Sequence, residues 1–104
     1  MLNLKKTLTK ILEYINTQYV VETKSIAGTS VAGGGRTTVT IDVQKSGYTA
    51  IGIVGAMIWG TEVFAIGRLS FNSAHTQANV TIINTFTDAR TPDSVEIYVL
   101  YRKS

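Results

Sequence analysis

Two hydrophobic periods run along this chain, and one gives way to the other near residue 18. In the first stretch Leu4, Leu8, Ile11 and Ile15 are spaced four, three and four apart, and Met1 and Gln18 extend the same register. This is the a/d seam of a heptad pattern, with Lys5, Lys6, Lys10 and Glu13 off the seam. Neither Gly nor Pro interrupts the chain before Gly28. The pattern predicts an N-terminal helix over residues 1–18. A helix of this length is marginal alone in water. It must therefore fold back on its own domain or pair with copies of itself, and the sequence leaves both arrangements open. The seam mixes Leu with Ile, so it does not choose between dimer and trimer.

From Tyr19 onward the period is two, and six strands are expected, at about 19–27, 36–43, 48–58, 62–71, 77–87 and 94–103. Gly33-Gly34-Gly35, Lys45-Ser46-Gly47, Trp59-Gly60-Thr61, the loop from Asn72 to Thr76 and the segment from Asp88 to Asp93 separate them. Six short strands without intervening helices predict a mainly β fold. The expectation is a six-stranded antiparallel β-sandwich or jelly-roll over 19–104, behind a short N-terminal α-helix over 1–18.

The second expected strand alternates cleanly, with Val39, Ile41 and Val43 opposite Thr38, Thr40 and Asp42. Two others do not. In the third, strict alternation sets Ile51, Ile53 and Met57 against Val54, Ala56 and Ile58; in the sixth, Val95, Ile97 and Val99 oppose Tyr98 and Leu100. A sheet with one wet face carries polar residues there. Strands apolar on both faces need a second cover, either the N-terminal helix or another subunit. Burial is worth about 25 cal/mol per Å², so several aliphatic side chains amount to several kcal/mol. The expected self-association residues are therefore Leu4, Leu8, Ile11 and Ile15 on the helix, with Val54, Ile58, Tyr98 and Leu100 on the strands.

Composition sharpens this picture. Charged residues make up only 16% of the chain, against roughly 25% in ordinary globular proteins, as suits a surface partly hidden between subunits. The ten basic residues are scattered, which disfavours nucleic-acid binding. Cysteine is absent, so the fold stands without disulfides or thiolate metal sites. Charges interrupt the N-terminal apolar residues, so no signal peptide is expected. The uncharged run from Ser46 to Thr61 is short for a membrane span and carries four glycines, so no membrane insertion is expected.

No pattern names a reaction, and no catalytic residue, cofactor or metal is expected. His75 is the one histidine, and neither Ser70 nor Ser73 sits in a nucleophile elbow. Gly33-Gly34-Gly35 lacks the Lys-Ser/Thr of a phosphate loop. A glycosidase would need paired carboxylates, for which Glu62 with Asp88 or Asp93 is the available set. If each strand crosses the domain, the turns near 28–36, 59–62 and 88–93 share the end far from the helix. Arg36, Trp59, Glu62, Asp88, Arg90 and Asp93 would then gather there. An aromatic among mixed charges is a candidate polar-ligand surface, and solvated turn residues are the plainer alternative.

The stretch TVTIDVQKSGYTAIGIVGAMI (38–58) resembles a segment of tail-fibre and receptor-binding head domains of tailed phages that infect Gram-positive bacteria. There an alternating strand leads through a Lys/Pro-x-Gly-Tyr turn into IGIVG. The closing VEIYVLYRK (95–103) is similar to their last strand, and LNLKKTLTKIL (2–12) to a leader helix of small phage structural proteins. The resemblance implies a homotrimeric sandwich or jelly-roll head located in the virion, a partner to itself and to a host-surface saccharide or other receptor. The long shoulder and neck regions of full receptor-binding proteins are missing, so a virion decoration or assembly component without a small ligand is the alternative. A small glycan hydrolase is a third reading.

Overall fold

The helical period ends where the chain becomes a strand, with no loop between. In the computed structural model, which describes residues 3–60 and 63–104 and only the backbone at Asn16, helix α1 spans Leu4–Gln18 and strand β1 spans Tyr19–Ala27. The expectations for Met1 and Glu62 lie outside the described residues. Asn3 caps α1, its side chain accepting from the Lys6 N–H at 3.1 Å. At the other end the Tyr19 N–H still donates to Ile15 O while its backbone is already extended (φ −127°, ψ 143°).

Of the two arrangements left open above, α1 does not adopt the docked one. Among the described residues it meets only β1 and the end of β6 (Ser94–Lys103), and the molecule measures 67 × 27 × 18 Å. A 15-residue helix is about 22 Å long and a 12-residue strand about 40 Å. Their sum nearly fills the long axis, so α1 prolongs the strand direction as a projecting stalk. Its seam residues Leu4, Leu8, Ile11 and Ile15 are 44–71% exposed.

Between β1 and β6 run β2 (Arg36–Asp42), β3 (Tyr48–Trp59), β4 (Phe64–Phe71) and β5 (Gln77–Asn84). They form two antiparallel three-stranded sheets, ordered β1-β6-β3 and β2-β5-β4. The core is shared by both: Val95, Ile97, Val99 and Tyr101 from β6 and Ala50 from β3 cluster with Val39 and Ile41 from β2 and with Ala78, Val80 and Ile82 from β5. Period-two alternation places these residues on the inner faces. The central strands β5 and β6 are neighboured on both sides, which is why they alternate most regularly between buried and half-buried.

Strict alternation fails in β3. Its pairing with β6 shifts between Ala50 and Gly52 and again between Ile53 and Gly55. Each bulge inserts one residue, so the first inverts the facing of Gly52 and Ile53 and the second restores it from Gly55 onward. Ala50, Ile53, Ala56 and Ile58 therefore pair with the inward residues Tyr101, Val99, Ile97 and Val95, while Gly52, Gly55, Met57 and Trp59 pair with the outward Leu100, Tyr98, Glu96 and Ser94. This corrects two expectations. Ile53 and Met57 stand on opposite faces. Ile58 packs against its own core rather than offering itself to a neighbour.

Polar groups fix the strand ends. Asn84 is buried, and its amide donates to Val31 O (3.0 Å) and Asp88 O (2.9 Å) and accepts from the Phe86 N–H (2.9 Å). These bonds turn the chain out of the ladder, so β5 stops at Asn84 rather than running to 87. The Tyr101 hydroxyl crosses the core to donate to Val43 O at 2.7 Å. On the edge strand β1, Glu22 and Lys24 occupy inward positions opposite Val99 and Ile97. Lys45 reaches back to bond Glu22 at 2.5 Å. Inward charges on an edge discourage further strands from adding there.

Candidate functional site

The end of the molecule far from α1 is built by three turn regions tied through their backbones. Val31 and Arg90 exchange two hydrogen bonds (2.8 and 3.0 Å), Gly34 N–H donates to Phe86 O, and Asp93 N–H donates to Trp59 O at 2.8 Å. Gly28 N–H donates to Asp93 O. Asn84 lies beneath them. It is the polar residue that sequence reasoning missed, since one Asn at the end of an apolar strand carries no sign of its burial.

The candidate ligand residues share this end but not one surface. Arg36 opens β2 in register with the exposed Thr38 and Thr40, on the outer face of the β2-β5-β4 sheet. Trp59 closes β3 on the outer face of the other sheet, its indole N–H donating to Glu96 Oε2 at 2.7 Å. Arg90 sits between, its guanidinium stacked 4.4 Å from the Phe86 ring centre, with Nε buried and unpartnered. Asp88 and Asp93 act through their backbone carbonyls in holding the turns. Glu62 lies outside the described residues, so the carboxylate pairing with Asp88 or Asp93 has no geometry here.

At the opposite end of the sheets, where β3 begins, a cleft of about 370 Å³ is lined by Lys45, Tyr48, Thr49, His75 and Thr76 among others. His75 has φ 55°, stacks on Phe71 and bonds Ala50 O through Nδ1 at 2.9 Å. A carbonyl can only accept, so Nδ1 carries the proton. The ring thereby ties the β4–β5 turn to β3. Lys45 lies over the Tyr48 ring, and its bond to Glu22 holds that carboxyl below the usual carboxylate range.

The most extensive unusual surface is the outer face of the β1-β6-β3 sheet. Val54 is 59% exposed, Val21 52%, Trp59 49% and Met57 41%, with Tyr98 and Leu100 half-buried between them. Tyr98, Leu100 and Val54 were expected here. Tyr19, Val21, Met57 and Trp59 join them: the pairing with β6 sets which side of β1 and β3 faces outward, and the bulges mix the two parities of β3. Gly52 and Gly55 inside a strand pattern are the signal that could have announced those bulges. Glu96 is the carboxylate within this face; it takes the Trp59 hydrogen bond and, by its charge, pushes the Tyr98 hydroxyl above its ordinary value.

Among the described residues no three His, Asp or Glu side chains come together as a metal site. No helix there is long and apolar enough to cross a membrane. No protein-family model, curated protein or solved structure matches the chain.

Proposed function

We propose that this chain is an oligomeric structural protein of the phage fibre-head kind. In this reading three copies join through α1, the two sheets form a β-sandwich head of jelly-roll type, and the far-end turns face a host-surface saccharide. The observation that carries the reading is the projecting α1, whose apolar seam, among the described residues, meets its own chain only at the sheet rim. A lone 15-residue helix is marginal in water. Here its charges make matters worse: Lys5 and Lys6 occupy the first turn, no carboxylate stands there, and no basic residue stands in the last turn. A helix so placed is stabilised by copies of itself along the a/d seam.

The test is solution mass by multi-angle light scattering on the full chain and on Leu8→Glu/Ile11→Glu. The reading expects a trimer that falls to monomer in the double variant with its β signal by circular dichroism retained. A monomeric full-length chain refutes it. A second reading, a virion decoration or assembly component without a small ligand, is favoured by one observation: Arg36 and Trp59 lie on opposite outer faces and do not converge. A glycan array separates the two. Saturable binding lost in Arg90→Ala supports the receptor-binding head, and a blank array with an intact trimer supports the decoration protein.

A further inference from the structure

The apolar outer face of the β1-β6-β3 sheet continues the α1 seam, and we infer that it is the second half of the same subunit interface, with Trp59 inside it. The inference rests on the self-association proposed above and deepens it. Tyr19 makes the join. It follows Ile15 by four residues and still donates to Ile15 O, so it leaves the helix on the seam side. As the first residue of β1 it pairs with Arg102, in step with Val21 against Leu100 on the outer face. Helix seam and sheet face thus form one strip along the 67 Å axis. A neighbour related by a rotation axis parallel to that strip meets both parts by a single operation.

The helix needs this second contact. Its seam covers about two heptads, short of the three to four that mark a self-sufficient coiled coil. The face suits a copy of itself. It is flat where Gly55 leaves room for the Tyr98 ring, which an added Cβ would approach to 3.0 Å. Its inner rows carry Val21, Leu100, Tyr98, Val54 and Met57, and the Glu96 carboxylate is already bonded by Trp59. An aromatic with its polar atom satisfied within its own chain can be covered without leaving a donor unpaired. The opposite sheet presents Thr38, Thr40, Asn79 and Thr81 outward, paired by hydroxyl and amide hydrogen bonds, and has no such need for cover. Trp59 is accordingly an interface residue and not part of the far-end ligand surface.

Trp59 is the only tryptophan, so its fluorescence reports the face directly. In the assembled full chain the inference expects blue-shifted emission and poor acrylamide quenching, both lost on dilution or in Leu8→Glu/Ile11→Glu. Val54→Lys, at an exposed position, should weaken association about tenfold or more, whereas Thr40→Lys on the other sheet should leave it unchanged. An assembled chain whose Trp59 is freely quenched, or whose mass is indifferent to Val54→Lys, overturns this inference while leaving α1 as the interface. A full chain that stays monomeric overturns both.

Discussion

Asn84 offers the sharpest check on how the far end is held. Replacing it with Leu keeps the volume close and removes three side-chain hydrogen bonds at a fully buried position. The three partners do not suffer equally. Val31 O still accepts from the Arg90 N–H at 3.0 Å. Asp88 O and the Phe86 N–H lose the side-chain partner that Asn84 gives them. Leaving a buried polar group unmade costs about 1–3 kcal/mol, and water reaches these two sites in part, so the variant should lose about 2–4 kcal/mol. That is a large part of a typical domain stability of about 5–15 kcal/mol. With a urea m-value of about 1–3 kcal/mol per molar, the unfolding midpoint should fall by roughly 1–2 M at fixed protomer concentration. Amide exchange at Val31, Gly34 and Phe86 should speed up more than in the strands. A loss under about 1 kcal/mol, or uniform exchange, would refute the view that this one side chain anchors two of the three turn regions.

Other expectations follow from the same reasoning. Burial, with help from the Glu22 and Asp42 charges, pushes the Tyr101 hydroxyl up to about 12; a folded value above the ordinary 10 gives stability fully present below pH 10 and lost as pH rises through about 12. Tyr101→Phe should flatten that alkaline decline in a melting series and cost about 1–3 kcal/mol at neutral pH by stranding Val43 O. Glu22 is depressed, by its bond to Lys45 first, so its contribution is present above the ordinary carboxylate range and is lost as pH falls through its lower folded value. Glu22→Gln should flatten the acid limb of the same series; an unchanged limb would discount the pair. Gly33→Ala would set a Cβ 2.1 Å from Thr87 O and should cost about 1–3 kcal/mol. Gly34→Asn, at φ +68° with open space around it, should change stability by less than about 1 kcal/mol; equal losses at the two positions would contradict the close approach at Gly33.

What the sequence determined by itself was local. The seam Leu4, Leu8, Ile11, Ile15 and the alternation Val39, Ile41, Val43 follow from helix and strand geometry, which repeats every few residues. Those patterns sufficed for α1 and for the place of all six strands: five start at the expected 19, 36, 48, 77 and 94, and β4 starts at Phe64 against an expected 62. Turn chemistry, and the parity of strand crossings, brought residues 28–35, 59–60 and 85–93 to one end. What the tertiary structure decided depends on partners distant in the chain. The bulges at Ile51 and Val54 arise from the fit of β3 to β6 and turn Ile53 inward beside Ala50, while the same pairing decides which parity of β3 meets the core, with Ile58 inward and Met57 outward. The burial of Asn84 depends on Val31, 53 residues away. The outward sides of Arg36 and Trp59 depend on which sheet each strand joined, and that choice belongs to long-range pairing, where residue spacing along one strand carries no information.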